Sequence, residues 1–115
     1  MDLEFPRGDT KKFKFKLKDK NGEDISLGVG DILYFTVKQN PNTNTKVIQK
    51  KLGDGITLGT DGYYHITLSS DDTATLNYGT YGYDIELKTS TGVVQTLTIG
   101  EITLTEEYTW KGDEN

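Results

Sequence analysis

His65 is the single histidine of the chain. Any serine–histidine–carboxylate triad, or any imidazole-based metal site, must therefore be built around it. It lies in an alternating run, Tyr63 to Leu68, in which Tyr64, Ile66 and Leu68 share one face and His65 and Thr67 the other. No serine or carboxylate stands at a motif spacing from it, so it reads as a solvent-facing strand residue. The pair Asp71-Asp72 resembles an acid–base or metal-binding couple. Placed directly after Ser69-Ser70, it fits better as the start of a helical turn, where carboxylates favour the positive end. Gly53-Asp54-Gly55 and Thr60-Asp61-Gly62 have the composition of calcium loops but lack the EF-hand ligand spacing and its closing glutamate, and read as turns. No strand, glycine-rich loop and helix follow one another to cradle a phosphate. The chain has no cysteine, which removes disulfides and zinc–thiolate sites and any reliance on an oxidising compartment. The expectation is a protein that is not an enzyme, with no catalytic residues, no cofactor and no metal.

Residues suited to contacts rather than reactions are more prominent. Lys11 to Lys20 carries six lysines, of which Lys12, Lys14, Lys16 and Lys18 fall on one face of a strand. Acidic residues gather at the other end of the chain, at Glu101, Glu106, Glu107, Asp113 and Glu114. Two readings follow. If the first and last strands are neighbours, the two sets pair internally across the sheet. Otherwise the lysines form an interaction stripe for an acidic partner surface or an anionic polymer. Nucleic acid is the least suitable polymer, because the net charge is −5 and no exposed aromatics interleave with the lysines. Arg7-Gly8-Asp9 matches the integrin-binding tripeptide but reads as a turn in which Asp9 or Thr10 bonds local backbone. Tyr63, Tyr78, Tyr108 and Trp110 could offer platforms to a sugar, which keeps a carbohydrate-binding or adhesion module as the alternative function.

The elements that must carry these residues are strands. Thr and Gly are plentiful, and hydrophobic residues make up 33% of the 115, enough for one domain with a thin core. Phe13, Phe15 and Leu17 alternate with lysines from Thr10 to Lys18, and Leu33, Phe35 and Val37 point inward from Asp31 to Lys38. Lys46 to Leu52 reads as an edge strand whose lysines discourage aggregation. A last strand from Val93 to about Tyr108 changes phase, and a β-bulge at Gly100-Glu101 would restore its apolar face. A short helical turn near residues 70–76 leads through Leu76 and Asn77-Tyr78-Gly79 into a long strand with Tyr81, Tyr83, Ile85 and Leu87 inward. A turn, a glycine and Tyr-x-Tyr in this order match the corner of an immunoglobulin-like sandwich, where a tyrosine hydroxyl bonds upstream backbone. Tyr81 takes that role here, with Leu76 and Gly79 completing the corner. The predicted fold is an all-β, antiparallel immunoglobulin-like β-sandwich of about seven strands. It spans residues 10–108, after a polar lead-in (1–9) and before a polar tail (109–115). No run is apolar and long enough for a signal peptide or a membrane span, so no membrane partner is expected.

One longer series is more specific. Arg7-Gly8-Asp9-Thr10 leads into Phe13 to Asp19; Gly55-Ile56-Thr57-Leu58 precedes Ile66-Thr67-Leu68-Ser69; then come Asp72-Thr73-Ala74, Leu76 and Gly79 to Leu87. In this order the residues resemble the immunoglobulin-like domains of tailed-phage structural proteins, especially the N-terminal domain of upper baseplate proteins. The resemblance implies a non-catalytic virion component of the tail or baseplate, made in the bacterial host cytoplasm. Its partners would be other phage tail or baseplate proteins, with self-association left open.

Overall fold

Where apolar and polar residues alternate, the chain is extended, and the turn-forming glycines and aspartates separate the extended runs. The structure is a computed structural model in which residues 2–18, 21–40, 42 and 45–106 are described. It contains eight strands and one helical turn: β1 (Leu3–Pro6), β2 (Lys11–Phe15), β3 (Ile32–Lys38), β4 (Lys46–Leu52), β5 (Gly55–Leu58), β6 (Tyr64–Leu68), α1 (Ser70–Thr73), β7 (Gly79–Lys88) and β8 (Val94–Thr105). The ladder runs β1-β8-β7-β3-β4-β5-β6-β2. The protein is therefore all-β, as its alternation predicts, with eight strands among the described residues rather than about seven. The sheet is mixed rather than wholly antiparallel, because β1 runs parallel to β8 and β4 parallel to β5.

The β4–β5 link holds only Lys51–Gly55 and Leu52–Ile56 in register. About this narrow seam the sheet curls until terminal strand β2 lies over central strand β3. Phe13 on terminal strand β2 meets Phe35 on central strand β3 edge-on, with ring centroids 5.4 Å apart, and Phe35 touches Tyr83 of β7 at 5.2 Å. Leu33, Phe35, Ile56, Ile66, Leu68 and Ile85 are fully buried between the two halves. Burying one such side chain favours folding by about 1.5–3 kcal/mol.

Four local expectations change. The polar lead-in contains β1, whose Phe5 is buried; a parallel partner on β8 supplies hydrogen bonds that four residues cannot signal by pattern alone. The first long strand ends at Phe15, beyond which only a Lys18–Asp24 bridge continues the pairing. Helical bonding stops early, with α1 ending at Thr73 and Ala74 as its cap. The bulge lies earlier in β8. Ile85 faces Thr98 and Glu86 faces Thr96, so Leu97 is the extra residue. Ile99 consequently points outward, three-quarters exposed, and Gly100 points inward. The end of the last strand at Tyr108 and the tail 109–115 lie outside the described residues, as do Asp19 and Lys20 of the first turn.

Candidate interaction surfaces

The corner before β7 fixes how that strand enters the sheet. Tyr81 is buried, and its hydroxyl donates to the Asn77 carbonyl at 2.9 Å. Gly79 has φ +127, a backbone geometry that side chains rarely adopt. Leu76 is half-buried against the core. Asp72 accepts from the Ser69 N–H at 2.7 Å and takes the Lys50 ammonium at 3.0 Å, tying α1 to β4. Lys50 is thus an internal tether, not a guard on an open edge, and the stem of its side chain lies against Gly55.

Arg7 belongs to this corner as well, a role its sequence context hides. Only 9% exposed, it donates to the Leu76 carbonyl at 3.1 Å and to the Tyr78 hydroxyl at 3.2 Å, and its guanidinium lies 4.2 Å from the Tyr78 ring centre. The adjoining Gly8 N–H donates to Thr73 Oγ1 at 2.8 Å, and Thr73 is fully buried. An integrin-type contact needs a projecting arginine; this one is folded inward. Asp9 donates its N–H to the Pro6 carbonyl at 3.2 Å, as a local turn requires.

On the outside of β2 and β6, Lys12, Lys14, Lys16 and Lys18 are all exposed. Strand β2 pairs with β6, placing Lys12 opposite Thr67 and Lys14 opposite His65, and Lys16 and Lys18 follow its end. The last strand is elsewhere, between β1 and β7. Cross-strand pairing of these lysines with β8 is therefore replaced by nearer partners, while Glu107, Asp113 and Glu114 lie outside the described residues. Lys16 lies 4.0 Å from Asp24, and Lys18 pairs with the same carboxylate. Lys14 lies 3.7 Å from Asp61, which also meets His65 Nε2 at 3.1 Å. The Lys14 and Lys16 ammoniums sit over the Tyr63 ring at 4.4 and 4.9 Å. Lys12 makes no ion pair among the described residues. The Lys18 hydrogen bond, with the charges of Lys18 and Lys16, holds the Asp24 carboxyl below the usual carboxylate range. The Tyr63 backbone N–H, then His65, does the same for Asp61.

A second surface lies on the outside of β3, β7 and β8. Gly82 occupies an outward position in mid-strand, and nothing approaches within 4 Å of where its side chain would begin. The result is a groove of about 480 Å³ lined by Thr36, Lys38, Thr80, Gly82, Asp84, Ile99 and Glu101. Burial pushes the Asp84 carboxyl above its ordinary value, with the Lys38 charge pulling the other way. Neither Asp84 nor Glu101 has an ion-pair partner among the described residues. The alternation of β7 already puts Gly82 and Asp84 on its outer face, and a mid-strand glycine is a signal of open surface or close approach. The placement of Ile99 was hidden because it depends on where the bulge falls.

The four aromatics do not form one described platform. Tyr63 lies beneath two lysines and Tyr78 beside Arg7, while Tyr108 and Trp110 lie outside the described residues. Among the described residues no three His, Asp or Glu side chains gather closely enough to hold a metal ion, and no helix is long and apolar enough to cross a membrane. Comparison of the chain with known protein families and with curated proteins finds no match.

Proposed function

We propose that this chain is a non-catalytic, structural protein-interaction module of a phage or prophage particle, located in the tail or baseplate. It is built on an immunoglobulin-like sandwich and made in the bacterial host cytoplasm. The finer fold reading is supported by strand order. Divided at the two-residue β4–β5 seam, the ladder becomes one sheet of β1-β8-β7-β3-β4 facing another of β5-β6-β2, joined by a tyrosine corner before a long central strand. The residue series from Arg7 to Leu87 that resembles phage structural domains supports the biological setting.

The observation that carries the interaction reading is the groove face. There a bulge turns Ile99 into solvent at 74% exposure beside two carboxylates that have no ion-pair partner among the described residues. Bulges commonly re-aim a side chain at functional surfaces, and an exposed β-branched residue next to desolvated charge is suited to contact rather than to solubility. The test is mass spectrometry of purified particles released after prophage induction. Peptides of this chain at levels stoichiometric with tail proteins are expected, together with crosslinks to a neighbouring tail or baseplate subunit. Absence from clean particles overturns the proposal.

A further inference from the structure

We infer that the outer face of β3, β4, β7 and β8 binds a second copy of this chain, each copy sending its Lys38 into the slot over Gly82 of the other. The inference rests on reading the chain as an interaction module and names the surface and the partner. Its starting point is the arrangement of charge on that face. Strand register places residues in rows across β4, β3, β7 and β8. One row reads Lys46, Lys38, Gly82, Glu101; the next reads Gln49, Thr36, Asp84, Ile99. Below them Lys51 and Tyr34 stand level with Glu86 and Thr96. The β3–β4 half therefore carries Lys38, Lys46 and Lys51, and the β7–β8 half carries Asp84, Glu86 and Glu101, with Lys88 as its one cation at the far end, level with Ile32 and Val94.

A face divided in this way is complementary to itself under one rotation. Two copies placed face to face about a two-fold axis that runs along the strands, between β3 and β7, exchange their halves. Lys46 of each copy then lies over Glu101 of the other, and Lys38 over Gly82. Because adjacent strands lie about 4.8 Å apart, a Lys38 ammonium entering that slot has Glu101 to one side, the receiving copy's own Lys38 to the other and Asp84 one row away. The missing side chain at Gly82 leaves the opening. Asp84 lies over Thr36, whose hydroxyl can donate to it, and Ile99 covers the stem of Gln49. A two-fold axis across the strands instead would set lysines on lysines. The lysine stripe of β2 has no such division, because Asp24 and Asp61 lie among its lysines.

Analytical ultracentrifugation from about 10 µM to about 1 mM protein, a range that brackets weak association, reads the self-association directly. The wild-type chain is expected to dimerise at low salt and to weaken as salt screens the exposed pairs. Lys46→Glu and Glu101→Lys should each reduce the association constant about tenfold or more. An equimolar mixture of these two variants should regain it, since the reversed charges face each other again. Gly82→Leu fills the slot and should abolish association with little change in melting temperature, whereas Lys12→Glu on the opposite face should leave association unchanged. A wild-type chain that stays monomeric throughout the range overturns the inference, as do charge reversals without effect or a mixture that fails to recover. Such a failure is separate from failure of the particle assignment, which particle composition alone decides.

Discussion

The two charged faces of this domain handle carboxylates in opposite ways. Around β2 and β6, Asp24 and Asp61 are exposed, held by ammonium or backbone N–H donors, and both titrate below their ordinary value. On β7, Asp84 is partly desolvated, has no ion-pair partner among the described residues, and titrates above it. The first face is the more conspicuous in the sequence, yet it meets much of its charge from within. The second separates most of its charges by strand and, among the described residues, leaves Asp84 and Glu101 without ion-pair partners. A high local density of one charge is thus a poor measure of what a surface can offer a partner, because neighbours brought in by the fold decide how much remains unanswered.

The strongest way to break the contrast is to loosen the corner that delivers β7. Arg7→Ala removes two buried donors and the ring contact with Tyr78, and should cost about 2–3 kcal/mol by chemical denaturation. It should disturb the groove while leaving the lysine face folded locally, which amide exchange of β7 against β6 can follow. Tyr81→Phe deletes one hydroxyl bond and should cost about 1–2 kcal/mol. An unchanged denaturation midpoint would show that the bond to Asn77 contributes nothing.

Titration sharpens the contrast without loosening the fold. Asp84 has a raised folded pKa, so its favourable contribution is fully present below the ordinary value of 3.8 and is lost as pH rises through the folded value. Asp84→Asn should therefore raise the melting temperature slightly at neutral pH, with the gain vanishing in acid. Asp24 has the reverse linkage. Its contribution is present above 3.8 and is lost as pH falls through its depressed folded value, so Asp24→Asn should lower the melting temperature slightly at neutral pH and make no difference in strong acid. The smallest effect is expected for Lys12→Ala, which removes no ion pair and should leave the melting curve unchanged. A clear shift there would mean that the lysine face depends on more than its two aspartates.

Much of the fold was readable because period-two alternation is a direct record of burial. Leu33, Phe35, Val37, Tyr64, Ile66, Leu68, Tyr81, Tyr83, Ile85 and Leu87 all lie inward as their parity requires. What was not readable depended on pairing partners distant in sequence. The lysines of β2 could be assigned to β8 as reasonably as to β6 until the ladder order was known. The four residues of β1 carry too short a pattern to announce a strand. The phase change in β8 was visible, but any residue between Gln95 and Ile102 could absorb it, and the choice decides whether Ile99 is core or surface. The groove combines these two unknowns. It could not be assembled from the sequence, although its floor residue Gly82 was already on the outer face.

The pairing of β1 with β8 has a consequence of another kind. The two strands run in the same direction, with Leu3 beside Ile102 and Pro6 beside Thr105. Tension drawn between Asp2 and Thr105 pulls these strands lengthwise past each other. Every pair in that ladder is then loaded at the same moment in shear, and none can peel away ahead of the rest. A domain joined to its surroundings through these two points would transmit a pull along these strands as a stiff mechanical link.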